Sequence, residues 1–220
     1  MKLYNFFNIL CSIPKTLRFN FHYFPMKIAI KLPVFISKKT YIRELGGRVH
    51  LPENISTAMI RIGFGDVGHY DRKRNRGIWQ VSGDIFFYGK TTIGHGSKLS
   101  IRGELHLGEN FNITAESTII CAEKIAFGKD CLVSWENLIT DTDEHPIYNN
   151  ECVKINTNKP IIIGNRVWIG CRCLILKGCE IPDECVVGAG SILCSKYSDK
   201  NAILVGNPAA VIKKDITWKH

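Results

Sequence analysis

One short stretch of this 220-residue chain gathers side chains that can move protons: Thr140, Asp141, Thr142, Asp143, Glu144, His145 and Pro146. A single imidazole stands among three carboxylates, beside a proline that stiffens the backbone. Neutral histidine can take a proton from a hydroxyl near pH 7, and a neighbouring carboxylate can hold its other nitrogen and support the imidazolium that forms. Two other readings use the same residues. One is a solvated acidic turn; the other is a cation site, although Asp-x-Asp spacing by itself does not specify one.

The surrounding chain supplies the frame. From Ile163 an aliphatic residue returns at every sixth position, through Ile169, Ile175, Ile181, Val187 and Leu193. Glycine follows directly at Gly164, Gly170 and Gly188. A six-residue period belongs to a parallel β-helix, where each hexad is one flat side of a prism. The corner glycines are expected where the backbone needs φ > 0 or where no Cβ fits. The ladder extends upstream through Val81, Phe87, Ile93, Leu99 and Leu105, slips by two to Leu107, Ile113, Ile119 and Ile125, and slips again to Phe127, Val133 and Ile139. An even slip keeps the same side chains inward, so the slips read as two-residue corner insertions. The spacing therefore predicts an all-β solenoid rather than a β-sandwich. The second inward position of each hexad holds Val167, Cys173, Cys179, Cys185 and Ser191.

Nine cysteines without paired C-x-x-C spacing do not make a zinc ribbon. Cys173, Cys179 and Cys185 would point inward from three sides at similar height; free cysteine packs as a small hydrophobe, so core filling is the expected role and no metal is expected. The absence of a secretory leader pattern favours reduced thiols and a cytoplasmic setting. Residues 1–50 hold nine Lys and Arg against Glu44 alone, so nearly all of the net charge of +9 lies there. Aromatic and aliphatic residues are interleaved with those cations, and no run is long enough to span a bilayer. Such a segment can cap the open end of a solenoid or lie on an anionic membrane; no nucleic-acid-reading motif accompanies it.

The organisation expected is a basic N-terminal segment over 1–48, broken into short pieces by Pro14, Pro25 and Pro33; lead-in strands over 49–80 with a charged turn at Asp71 to Arg76; a β-helix over 81–198 with a loop at 141–160; and a tail over 199–220 in which Pro208 starts a short helix. A loop leaving a rigid solenoid is where chemistry is to be sought.

Three segments are specific as a set: Ile163-Gly-Asn-Arg-Val-Trp-Ile-Gly170, Ile181 through Val187-Gly-Ala-Gly-Ser191, and Val205-Gly-Asn-Pro-Ala209. Together with the acidic histidine loop, they resemble the hexapeptide-repeat acyltransferases, in particular the galactoside, maltose and polysaccharide O-acetyltransferase branch. The resemblance implies a left-handed parallel β-helix, a homotrimer, and acetyl-coenzyme A as co-substrate bound between neighbouring subunits. It makes His145 the catalytic base, with Asp141 or Asp143 orienting it or shaping the acceptor pocket. Trp168 would line the pantetheine channel or pack at a corner. Cys171, Ala189, Cys194 and Ser195 would meet the coenzyme through their backbone, although Cys194 and Ser195 replace the usual Thr-Lys pair. Lys213 would meet its phosphates; Ala210 stands where another cation is usual, so Lys196 or Lys214 would supply that charge. Asn137 falls near an acceptor-binding asparagine.

The function expected is therefore transfer of acetyl from acetyl-coenzyme A to a hydroxyl of a sugar or surface-polysaccharide precursor. An amino-sugar N-acetyltransferase would use the same base and channel. A serine acetyltransferase is disfavoured because no long helical N-terminal domain is apparent. A γ-carbonic-anhydrase-like metalloenzyme would need a close histidine pair, whereas His95, His106 and His145 fall on separate coils. A non-catalytic scaffold is the remaining alternative.

Overall fold

The computed structural model describes residues 2–65, 67, 68, 70 and 75–219, with side chains from residue 8 onward. Of the charged turn expected at Asp71 to Arg76, residues 71–74 lie outside the described residues.

The chain winds into a three-sided coil. Face A is built from strands Val34–Ile36, Ile60–Ile62, Thr91–His95, Phe111–Ala115, Leu132–Val133, Trp168–Ile169, Val186–Val187 and Ile203–Gly206. Face B holds Tyr41–Leu45, Ile78–Val81, Lys98–Ile101, Thr118–Cys121, Leu138–Thr140, Leu174–Leu176 and Ile192–Leu193. Face C holds Arg48–His50, Asp84–Phe87, Glu104–Leu107, Lys124–Phe127, Ile161–Ile163 and Glu180–Ile181. Each strand pairs in parallel with the one a full turn away, as in Ile93 beside Ile113, Ile119 beside Ile139, and Phe127 beside Ile163. The ladder residues identified by spacing fill the interior: Val81, Ile93, Leu99, Ile119, Ile139, Ile175 and Leu193 are all essentially unexposed. Cys173, Cys179 and Cys185 belong to the same core.

The two-residue slips do not sit at corners. Early coils repeat every twenty residues, pairing Thr92 with Asn112, and late ones every eighteen, pairing Trp168 with Val186. The difference is absorbed where face B runs on by one more inward side chain. Its early strands Lys98–Ile101 and Thr118–Cys121 have four residues, against three and two in Leu174–Leu176 and Ile192–Leu193. The corner glycines are explained by room, since Gly164, Gly170 and Gly188 do not have positive φ. A Cβ on Gly164 would come within 2.6 Å of the Asp183 amide nitrogen one coil on. The left-handed corner positions are instead occupied by Asn110, Asp130, Arg166 and Glu184.

Two expectations fail at the N-terminus. The coil begins at Val34, not Val81, because strands assigned to the basic segment and lead-in already pair in register with later ones. Residues Lys2–Tyr23 form one 22-residue helix, α1, with Pro14 inside it, followed by a short helix α2 at Met26–Ala29. Proline forgoes one backbone bond, but tertiary contacts hold the helix on both sides of it. Phe19 is fully buried and meets Trp79 edge-on at 4.9 Å, closing the open end of the core. The short pieces expected from Pro14 are thus replaced by one continuous helix, which lies on the coil and is not a helical domain.

The C-terminal expectation also fails. Pro208 starts no helix; Ile203–Gly206 turns back into the antiparallel strand Ala209–Lys213, forming a hairpin that ends face A. A hairpin suits this place because it covers the last parallel strand without continuing the coil.

Candidate active site

Residues 141–160 leave the coil between faces B and C, and the loop is braced at its root. Val81, Ile101, Cys121 and Asp141 fall twenty residues apart, so Asp141 occupies an inward slot that other coils fill with apolar side chains. Its carboxylate is fully buried and accepts three backbone N–H groups of the preceding coil: Ala122 at 2.7 Å, Glu123 at 2.9 Å and Lys124 at 2.8 Å. The Cys121 thiol lies 3.5 Å from it, and burial, aided by that carboxylate, pushes the thiol's pKa up. Asp141 is thus a brace beneath the loop, with no contact to the His145 ring. This corrects the assignment of an orienting role to it.

Beyond Asp141 the chain forms a small hairpin. The Asn156 amide donates to the His145 carbonyl and to the Asp143 carboxylate, each at 2.8 Å, and its oxygen accepts the Ile147 N–H at 2.6 Å. The His145 N–H donates to the Asp143 carbonyl at 2.6 Å, and Glu144 adopts a left-handed φ of 63°. Two cations anchor the hairpin. Arg102 donates to Glu144 at 2.7 Å, and Lys177 pairs with Asp143 while donating to the Thr157 carbonyl at 3.1 Å. The Lys177 ammonium holds the Asp143 carboxyl below the ordinary carboxylate range, and Asn156 adds to the effect. Asp143 therefore shapes the loop from beside His145. Among the described residues no side chain hydrogen-bonds the His145 ring, which is exposed at a cleft of 420 Å³ lined also by Arg102, Ala122, Tyr148 and Lys154. Asn156, Arg102 and Lys177 carry no sequence motif; only their closeness in the fold reveals them.

Asn137 is not available to an acceptor. It is buried, its amide group donates to the Ser134 carbonyl at 2.9 Å, and its oxygen accepts the Cys173 N–H at 2.7 Å. Its side chain stitches one coil to the next, which is why an asparagine occurs there.

The residues expected to meet the coenzyme divide between two corners. Cys194 and Ser195 lie at the B–C corner, lining a groove of 470 Å³ with Lys159, Lys177 and Lys196. This groove is joined to the His145 hairpin through Lys177. Cys171 and Ala189 stack at the A–B corner, where the Gly190 N–H donates to the Cys171 carbonyl at 2.9 Å. Trp168 lies on face A, half-exposed, with its indole N–H on the Ser134 hydroxyl at 3.2 Å and its ring 6.1 Å from that of Trp218. Lys213 is exposed at the end of the terminal hairpin, while Lys196 pairs with Glu180 and Lys214 with Asp199 at 2.7 Å. In one chain these two groups of residues are separated by face B. His95 is buried near the A–B corner and His106 stacks on Phe86 on face C, so neither approaches His145 as a metal-binding triad would require.

No family model matches the chain. The coil as a whole resembles the solved structure of a polysialic-acid-specific acetyltransferase, with a TM-score of 0.56 at 20% identity, over 83% of this chain and 89% of that one. A polysialic acid O-acetyltransferase of Neisseria meningitidis is 42% identical over 104 residues, 47% of this chain and 48% of that protein. An uncharacterised 24.8 kDa protein of the cps region of Klebsiella pneumoniae is 30% identical over 217 residues, 96% of this chain and 90% of that protein. The chain belongs to the hexapeptide-repeat acyltransferase family. Its coil is the left-handed parallel β-helix of those enzymes. The chain spans about half the length of the named O-acetyltransferases it matches. As a hexapeptide-repeat acyltransferase it departs from the sequence expectation in two places, since Asp141 and Asn137 are structural.

Proposed function

We propose that the protein transfers acetyl from acetyl-coenzyme A to a hydroxyl of a sugar or surface-polysaccharide precursor, with His145 as general base, in a homotrimer whose sites lie between subunits. The observation that carries the reading is the exposed imidazole, its ring unbonded among the described residues, on a hairpin anchored from both sides. Such an imidazole is free to accept a proton, and its backbone is fixed by Asn156, Arg102 and Lys177. The acceptor oxygen gives its proton to His145 as it attacks the thioester carbonyl. The tetrahedral intermediate then expels coenzyme A as its thiol, the proton returning from the imidazolium. Holding both reactants in one cleft supplies much of the rate, and general-base catalysis contributes on the order of 10²–10⁴-fold.

Two features support a site shared between chains. The coenzyme half-sites occupy different corners of one prism, and neighbouring prisms can bring an A–B corner to a B–C corner. The hairpin also projects Ile147, Tyr148, Val153 and Ile155 into solvent, all more than half exposed, which suits burial against a second copy. Among the described residues no helix is long and apolar enough to cross a membrane. We place the enzyme in the cytoplasm, with residues 1–48 keeping it beside membrane-borne acceptors. Named relatives acting on polysialic acid and galactosides support a sugar acceptor.

Incubating the protein with acetyl-coenzyme A and a panel of mono- and oligosaccharides, while following free thiol, tests the reaction; light scattering tests the assembly. Sugar-dependent thiol release by a trimer is expected. A monomer that neither binds acetyl-coenzyme A nor releases thiol with any saccharide would overturn the reading.

A further inference from the structure

Helix α1 is amphipathic in the inverted sense. Its polar residues face the protein. Asn20 donates to the Val34 carbonyl at 2.7 Å and accepts the Val34 N–H at 3.2 Å. Thr16 accepts the Ile36 N–H at 3.1 Å, and the Ser12 hydroxyl accepts the Lys38 N–H at 2.9 Å. Ser12, Thr16 and Asn20, four residues apart, thus take the place of a neighbouring strand along the first edge of face A. Lys15 is also turned inward, donating to the carbonyls of Lys38 and Thr40 at 2.5 and 2.6 Å.

The opposite face is apolar and uncovered. Leu10, Ile13, Leu17 and Phe21 form one exposed stripe at helical spacing, extended by Met26 of α2 and by Ile30 just after it, which are 66% and 63% exposed. Exposed Arg18, Lys27 and Lys31 border the stripe, and the chain contains no carboxylate side chain before Glu44. Because α1 closes the end of the core, its outer face looks along the coil axis. In the proposed homotrimer, prisms packed side by side would leave that end bare and set three such helices in one plane.

We propose that the outward face of α1, continued by Met26 and Ile30, is a docking surface that seats the protein on an anionic lipid bilayer. The stripe enters the boundary between headgroups and acyl chains, and the bordering cations meet lipid phosphates. Charge complementarity selects the bilayer over a second copy, which would bring like-charged rims together. The proposal deepens the peripheral placement of residues 1–48 given above, and its test reads vesicle binding apart from acetyl transfer.

The full-length protein is sedimented with vesicles of phosphatidylcholine alone and of phosphatidylcholine mixed with phosphatidylglycerol. Binding to the mixed vesicles is expected to be about tenfold stronger or more, and to weaken with salt. The double variant Leu17→Glu/Phe21→Glu should lose it by about tenfold, with helix content, oligomeric mass and thiol release on soluble sugar unchanged. The variant Lys27→Gln/Lys31→Gln, which alters two exposed side chains on and just after α2, should weaken it without removing a buried contact. Equal binding to both vesicles, no binding to the mixed ones, or full binding by the Lys27→Gln/Lys31→Gln variant would overturn the proposal. So would an end-to-end doubling of the oligomer that Leu17→Glu/Phe21→Glu abolishes.

Discussion

Removing the Asp141 carboxylate should cost stability far more than it costs chemistry. In Asp141→Ala the amides of Ala122, Glu123 and Lys124 lose a fully buried, charged acceptor at 2.7 to 2.9 Å. Hydrogen bonds to a charged group contribute about 1.5–3 kcal/mol each. Water entering at the corner recovers part of this, leaving a loss of about 3–5 kcal/mol. At about 2–4 °C per kcal/mol for a chain of this size, Tm should fall by about 10 °C. Asp141→Asn is the graded control. Its amide oxygen can serve Glu123 and Lys124, leaving its NH₂ against the Ala122 N–H, so the cost should be about 2 kcal/mol. Urea and thermal unfolding give the stability, and acetyl transfer well below Tm gives kcat. Unchanged unfolding with kcat reduced about 100-fold or more would refute the reasoning, because it would make the carboxylate an acid–base group rather than a brace.

The thiols should divide by burial. Cys121, Cys131, Cys173, Cys179 and Cys185 are buried, and burial raises the pKa of Cys131 to about 11 and that of Cys179 to about 12. They should resist a thiol reagent at pH 8 until the protein unfolds, while exposed Cys11, Cys152 and Cys194 react promptly, as counted by mass spectrometry. Coenzyme A should slow Cys194 selectively if the B–C groove holds it; equal rates with and without coenzyme would remove Cys194 from that contact. The depressed Asp143 carboxyl makes hairpin order pH-dependent. Its contribution is present above the ordinary carboxylate value and is lost as pH falls through its lower, folded-state value. Amide exchange over residues 143–158 should accelerate below about pH 4 beyond the intrinsic rate, and Asp143→Asn should show the faster exchange already at neutral pH.

The coil was legible because one face of every strand must be apolar, and a six-residue prism side turns that demand into a fixed period. The same rule, applied at the longer spacing of a whole coil, would have aligned Asp141 with Val81, Ile101 and Cys121 and marked it as internal. A carboxylate in an apolar slot is then a group in need of donors, which the corner amides provide. The N-terminus was harder to read because Ser12, Thr16 and Asn20 are core-facing yet polar. Their partners are backbone groups of a strand edge, which a hydropathy pattern cannot show. Pro14 pointed to a break that contacts outside the helix prevent. Pro208 suggested the start of a helix where the chain instead returns as a strand, a choice that depended on the open edge of face A. Asn137 was placed by resemblance, and its neighbours in the fold, Ser134 and Cys173, give it a different task.

The central claim is that one imidazole on an anchored hairpin takes the acceptor proton. His145→Ala measures it most directly, with turnover and coenzyme affinity determined on the same preparation. The account predicts turnover lower by about 10²–10⁴-fold, with coenzyme binding and oligomeric mass unchanged. Turnover near that of the unaltered protein would contradict it.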